Sequence, residues 1–134
     1  MDHFEQRWRG QLFTSLRLYS FESQVARLDE LLAVEKFSFP ADKIVAVKMD
    51  TEGYEAPVLS GCPELLARQK PLLLVESGHA NPLVYEQLVK YGYTFASRIG
   101  RQLQPVHAPT SAMNGFFFHP LHAEEYLRVG LLRP

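Results

Sequence analysis

Residues 44–55 have the sequence IVAVKMDTEGYE, a nearly continuous apolar run followed by three carboxylates and a glycine. Such apolar runs are typical of parallel strands covered on both faces. A second run, PLLLVE, spans residues 71–76. In open parallel sheets ligands lie beyond the carboxyl ends of the strands. We therefore expect Asp50 and Glu76, which follow or end these runs, to lie close together at a binding crevice.

The polar residues of the first stretch are the main candidates for chemistry. Side chains alternate along a strand, so Lys48 and Asp50 share one side and the Lys48 amine can pair with a nearby carboxylate. Asp50 is the candidate catalytic residue, as a ligand contact or a general base, with Lys48 orienting it. Glu52, Gly53 and Glu76 are candidate substrate-binding residues, and Gly53 permits close ligand approach or an unusual backbone angle.

Other roles for these carboxylates remain open. Asp50 and Glu52 are also placed to cap the next helix, whose amino-terminal end attracts negative charge. Asp50, Glu52 and Glu76 together offer the oxygens that a hard divalent cation prefers, but spacing alone does not assemble a site, so we expect no metal. Glu55 lies three residues after Glu52, on nearly the same helical face, and is expected to be solvated or to play no part at the site.

The rest of the chain indicates an α/β fold, since strand-like and helix-like segments alternate after about residue 43. Gly61 and Pro63 predict that one short helix ends, with Gly61 left-handed, and another begins. Asn81-Pro82 predicts a capped helix that ends at Gly92. Residues 93–97 and 115–118 predict two more strands. Weaker patterns predict a helix over 28–34 and a strand over 12–19.

The connection from residue 99 to residue 113 is predicted to be a long loop that overhangs the crevice. It contains the polar residues Arg101, Gln102, Gln104 and His107, which would either influence the choice of substrate or form an ordinary surface connection. Asn114 opens the last strand and is a further candidate substrate-binding residue. It is equally explained as a turn asparagine.

Composition excludes several classes of function. The 134 residues, 46% hydrophobic and 22% charged, suit one soluble domain covering 1–134. A net charge of -1 provides no basic excess, so we expect no nucleic-acid partner. No apolar run reaches the roughly 18 residues of a membrane span and no signal pattern precedes the domain, so we expect no membrane association and a cytoplasmic location. The single cysteine, Cys62, excludes an internal disulfide and a multi-cysteine zinc site.

Four pieces in order resemble the FkbM-type S-adenosylmethionine-dependent methyltransferases. They are VARLDELL at 25–32, VKMDTEGYE at 47–55, VLSG at 58–61 and PLLLVE at 71–76. The resemblance covers residues 25–120 if the segment NGFFFHP at 114–120 is the closing strand of the family. The lysine, aspartate, first glutamate, glycine and second glutamate of the family motif fall on Lys48, Asp50, Glu52, Gly53 and Glu55.

The resemblance implies a partial class I, Rossmann-like methyltransferase fold. This is a mostly parallel sheet with an antiparallel carboxyl-terminal hairpin, and it implies S-adenosylmethionine as cofactor and a hydroxyl on a sugar or secondary metabolite as the small-molecule acceptor. The amino-terminal cofactor-binding half is expected to be missing. No two glycines are separated by one residue. The 43 residues before Ile44 are also too few for two overlapping βαβ units of roughly 30 residues each.

A shortened fold leaves the strand ending at Met49 without one neighbour. Its apolar edge would then be open to a second copy or to a partner chain. Two further hypotheses therefore accompany the methyltransferase. One is a catalytically silent binding domain derived from a methyltransferase, and the other is a metal-dependent transferase or hydrolase that uses the carboxylates.

Overall fold

The computed structural model describes residues 25–34, 43–76, 81–106 and 114–134. The predicted strand over 12–19 lies outside the described residues, as does His107. The elements are, in chain order, α1 (Leu28–Ala33), β1 (Ala46–Met49), α2 (Glu55–Ser60), α3 (Pro63–Arg68), β2 (Leu72–Glu76), α4 (Pro82–Lys90), β3 (Thr94–Ile99), β4 (Gln102–Pro105), β5 (Asn114–Phe118), a 3₁₀ turn (Pro120–His122) and α5 (Ala123–Arg128). Within these residues no helix has the length and apolar character needed to cross a bilayer.

The five strands form one mixed sheet in the order β1-β2-β5-β3-β4. β1 and β2 are parallel, as predicted, with Met49 opposite Val75. β5 lies between β2 and β3 and is antiparallel to both. The expectation of a mostly parallel sheet is therefore wrong for the described residues, because the insertion of β5 leaves a single parallel pair.

The predicted loop over 99–113 contains a strand that sequence analysis missed. β4 turns back at Gly100, whose φ is 63°, and pairs antiparallel with β3. The left-handed conformation at Gly100 permits this tight reversal. β4 is thereby placed at the edge of the sheet opposite β1.

The core lies mainly between the sheet and helices α2, α3 and α4. β2 alternates, with Leu73 and Val75 buried and its other side chains half-buried. The residues buried with them come from the three helices and the neighbouring strands, namely Met49, Ala56, Leu59, Cys62, Leu65, Leu66, Val84, Leu88, Tyr93, Phe95 and Phe117. A smaller cluster on the other face joins Phe118 and Leu103 to Leu132, with Tyr126 of α5 against it. The helices thus cover one face more fully than the other.

β1 is an edge strand with little protection from solvent. It has a strand neighbour on one side among the described residues, and only Met49 of its four residues is buried. Val45, which precedes it, is 78% exposed. The apolar run over 44–49 is therefore not a strand covered on both faces, because Ala46 and Lys48, on the side opposite Met49, are exposed.

Helix boundaries follow the predicted capping signals with one exception. The Asn81 side chain accepts a hydrogen bond from the Leu83 backbone N–H at 3.1 Å, and Gly92 has the left-handed φ of 81°. Gly61 ends α2 as predicted, but its φ of -88° is right-handed. A Cβ there would lie 3.2 Å from the Val58 carbonyl oxygen and at an ordinary contact distance of 3.7 Å from the Arg27 Cα, so glycine avoids crowding within the last turn of α2.

Asp29 fixes α1 to the start of α3. Its carboxylate accepts the backbone N–H of Glu64 at 2.7 Å and that of Leu65 at 3.1 Å. The backbone N–H of Asp29 donates in turn to the Gly61 carbonyl at 3.1 Å. The side chain of Cys62, at the N-cap position of α3, accepts no hydrogen bond from the first turn of the helix. Asp29 therefore caps that helix from a distant part of the sequence.

Replacing Asp29 by alanine is expected to lower the free energy of unfolding by about 0.5–2 kcal/mol, since two backbone donors lose their acceptor. Urea unfolding followed by circular dichroism measures this change. Glu30→Ala is the matched control, because Glu30 is an adjacent exposed carboxylate of the same helix. Equal destabilisation by the two substitutions would contradict the capping role.

Candidate functional site

Asp50 and Glu76 meet at the carboxyl ends of the parallel strands β1 and β2. The register that pairs Met49 with Val75 brings the next residue of each strand side by side. The two carboxyl groups lie close enough to shift each other's pKa, that of Asp50 downwards and that of Glu76 upwards. The predicted proximity of these two residues is confirmed.

Lys48 lies on the same side as Asp50 and forms an ion pair with it. The Lys48 Nζ donates to Asp50 Oδ2 at 2.6 Å, while the two side chains remain 60% and 39% exposed. Met49 points to the opposite, buried side. The amine thus orients one carboxylate oxygen of Asp50 and leaves the group accessible to a ligand.

The three groups shift one another's titration. The hydrogen bond with Glu76 and then that from Lys48 lower the pKa of Asp50. The hydrogen bond with Asp50, the charge of Asp50, partial burial and the charge of Glu52 raise the pKa of Glu76, and they outweigh the Lys48 charge, which lowers it. The Asp50 hydrogen bond raises the pKa of Lys48. Two carboxyl groups this close titrate as a unit in two steps.

A strained turn follows Asp50. The Tyr54 N–H donates to the Thr51 carbonyl at 3.2 Å, and the two residues between them have positive φ, 50° at Glu52 and 97° at Gly53. Two left-handed residues in succession are the geometry of a type I′ turn. A Cβ at Gly53 would meet nothing within 4 Å. The backbone angle is therefore what requires glycine there.

Glu55 is the residue that sequence analysis misjudged. It is 5% exposed rather than solvated. Its Oε1 accepts from the Thr51 N–H and hydroxyl, each at 3.1 Å, and from the Gly53 N–H at 3.2 Å. Burial alone raises the pKa of Glu55, but these hydrogen bonds, with one from its own backbone, outweigh it and lower the pKa. The sequence signal for this contact was Thr51, four residues before a glutamate at the start of a helix.

The capping hypothesis for Asp50 and Glu52 is wrong. The N-cap of α2 is Tyr54, and the helix has no side-chain cap. Asp50 instead bonds Lys48 and Glu76, and Glu52 is exposed in the turn. Their carboxylates therefore remain available at the crevice.

A cavity of about 360 Å³ lies beside the ion pair. Lys48, Asp50 and Thr51 provide its polar part. The rest is apolar and comes from Leu28, Val47, Met49, Val58, Leu59, Cys62, Leu65, Leu66 and Leu73. Its size falls in the range of small-molecule sites, which are mostly apolar with a few polar groups.

Asn114 lies next to the carboxyl pair, as predicted. It starts β5 directly opposite Glu76 in the antiparallel register and is exposed. Residues Arg101, Gln102 and Gln104 do not overhang the crevice, because β4 and its turn lie at the far edge of the sheet. That expectation is wrong, since the chain folds back into β4 before it returns to the centre as β5.

Two other expectations concern metals and the thiol. The described residues contain no group of three or more histidine, cysteine or acidic side chains arranged to hold a metal ion. Cys62 is buried, as expected for a small core residue, and burial raises the pKa of its thiol to about 11. A buried thiol of high pKa is a poor nucleophile.

Comparison with known proteins adds one finding. The model of the family described as the methyltransferase FkbM domain matches residues 7–95. The matched range begins and ends earlier than the range 25–120 expected from the motifs. It includes Lys48, Asp50, Glu55 and Glu76, and it ends before Asn114. No curated protein and no solved structure matches the chain.

Replacing Glu55 by glutamine is expected to lower the free energy of unfolding at pH 7 by about 1–3 kcal/mol, because three donors lose a charged acceptor. Since the folded-state pKa of Glu55 is lowered, its contribution is fully present above the ordinary value near 4.5 and is lost as the pH falls through the folded-state pKa. The difference between wild type and variant, measured by urea unfolding at pH 7 and pH 3, should therefore shrink in acid.

Glu52→Gln is the control for this measurement, because Glu52 is exposed in the same turn. A Glu55→Gln effect that is no larger than that of Glu52→Gln, or that does not change with pH, would contradict the anchoring role of Glu55.

Proposed function

The chain belongs to the FkbM methyltransferase family, and we propose that it acts in the S-adenosylmethionine-dependent transfer of a methyl group to a hydroxyl of a sugar or secondary metabolite. The observation that carries this proposal is the cluster of Lys48, Asp50 and Glu76 at the carboxyl ends of two neighbouring parallel strands. Ligands of open α/β sheets bind at such strand ends.

In this proposal the acceptor hydroxyl donates a hydrogen bond to Asp50, which Lys48 holds in one orientation. Holding the acceptor oxygen in a reactive position is then the main contribution of these residues to the rate of methyl transfer. The cavity beside Asp50 accommodates the less polar part of the acceptor. The turn at Glu52 and Gly53 directly follows Asp50, and the exposed Asn114 lies opposite Glu76, so both are near enough to contact the acceptor.

We further propose that the mixed sheet is the carboxyl-terminal half of a class I methyltransferase fold. The parallel pair β1–β2, followed in space by the antiparallel β5, supports this assignment. This assignment also explains why β1 has a strand neighbour on one side only in the described part of the chain, since the strands of the other half would pair with its free edge.

The described residues do not fit a complete S-adenosylmethionine site. Among them, Gly53, Gly100 and Gly130 have positive φ but nothing within 4 Å of an added Cβ, so none forms a tight cradle that glycine alone would permit. The sequence has no G-x-G motif. The described residues therefore supply no main binding loop for the methyl donor, and no reaction step is assigned to the donor.

A catalytically silent binding domain is the second candidate function. The edge of β1 favours it. Among the described residues β1 has a strand neighbour on one side only, so its other edge, beside the 78% exposed Val45, can add a strand from a second copy or another chain. In either function we propose a cytoplasmic protein that binds a small molecule and neither nucleic acid nor membrane.

Methyl transfer from isotopically labelled S-adenosylmethionine to a panel of sugars and hydroxylated metabolites tests the proposed function, with calorimetry of donor binding alongside. We expect labelled product from wild type and at least about tenfold less from Asp50→Asn, which keeps the shape but loses the charge. Glu86→Gln is the control, since Glu86 is exposed on α4.

Folded protein that neither binds the donor nor yields product would contradict catalysis by this chain and favour the silent domain. Product formed equally by Asp50→Asn and wild type would contradict the assignment of the site.

A further inference from the structure

We propose that Glu76, and not Asp50, accepts the proton that leaves the substrate hydroxyl. This proposal rests on the proposed function and assigns a different role to each carboxyl group of the pair. Asp50 holds the hydroxyl in place, and Glu76 is the general base. The two side chains have similar chemistry, so their surroundings decide which one takes the proton.

The surroundings of Asp50 disfavour its protonation. Its Oδ2 accepts a hydrogen bond from the Lys48 ammonium at 2.6 Å. Protonating Asp50 would neutralise its half of this ion pair and leave the lysine charge without its nearest partner. A carboxylate beside a cation resists protonation and is a weak base.

The surroundings of Glu76 favour its protonation. It belongs to β2, and the parallel register places it beside Asp50, whereas the Lys48 amine is hydrogen-bonded to Asp50. A proton on Glu76 forms a hydrogen bond to the neighbouring Asp50 anion and removes repulsion between Glu76 and the charges of Asp50 and Glu52, and these effects outweigh the attraction to Lys48 that Glu76 loses. Protonation therefore disrupts an ion pair at Asp50 but forms a hydrogen bond at Glu76.

In the resulting step the O–H bond of the acceptor breaks and its electron pair stays on the acceptor oxygen, which becomes the nucleophile. The proton ends on a carboxylate oxygen of Glu76 and is shared with Asp50. The raised pKa of Glu76 agrees with this direction, because a stronger base is a better proton acceptor. Lys48 is a positioning residue that keeps Asp50 ionised throughout.

Carbon-13 NMR titration of the carboxyl carbons tests this division without any substrate. We expect the Glu76 carboxyl carbon to titrate at higher pH than the other glutamates, and to return towards the ordinary range in Asp50→Asn, which removes the neighbouring anion. Glu64→Gln should leave Glu76 unchanged, because Glu64 is exposed on α3 and pairs with Arg68. A higher apparent pKa at Asp50 than at Glu76 would overturn the proposal.

The pH dependence of kcat/KM, measured with an acceptor found as above, is the second readout. We expect Glu76→Gln to lower kcat/KM by about 10²- to 10⁴-fold and to abolish its acid limb. Asp50→Asn should raise KM and move the acid limb to lower pH. An acid limb that persists in folded Glu76→Gln would overturn the proposal. Absence of methyl transfer by wild type at every pH would instead be a failure of the proposed function, and the titration would still decide the role of Glu76.

Discussion

The parallel pairing of β1 with β2 is the constraint on which the site depends. Both strands end at the same edge of the sheet, and the register sets Asp50 beside Glu76. A slip of one residue would turn Lys48 and Asp50 towards the core and Met49 towards solvent. The burial of Met49 and Val75 against the helices therefore also fixes the geometry of the polar cluster.

The turn after β1 shows how a buried charge maintains a strained backbone. Glu52 occupies a left-handed conformation that costs a non-glycine residue about 1–2 kcal/mol. The three hydrogen bonds that converge on the Glu55 carboxylate offset this cost and the cost of burying the charge itself. Glu55 thereby controls the path of the chain directly after Asp50.

The mixed sheet has two parts: β1 and β2, whose ends carry the candidate site, and the antiparallel strands β5, β3 and β4 that pack beside them. β5 closes the space beside β2 and brings Asn114 to Glu76, whereas the β3–β4 hairpin and the carboxyl-terminal segment pack at the far side. The family match ends within β3. The residues around Asp50 thus belong to the matched part, and the strand that completes their surroundings lies beyond it.

The sequence by itself determined the features that depend on neighbouring residues: the two apolar strands, the helix that Asn81 caps, the alternation that pairs Lys48 with Asp50, and the family. It did not determine the position of β5 between β2 and β3, the strand β4, or the burial of Glu55. Asp29 as a cap for α3 was equally hidden, because residue and helix are 35 positions apart. Strand order and the protonation preference of a carboxyl pair arise from contacts between distant segments. Periodicity and capping signals report local geometry alone, so the tertiary structure decided these features.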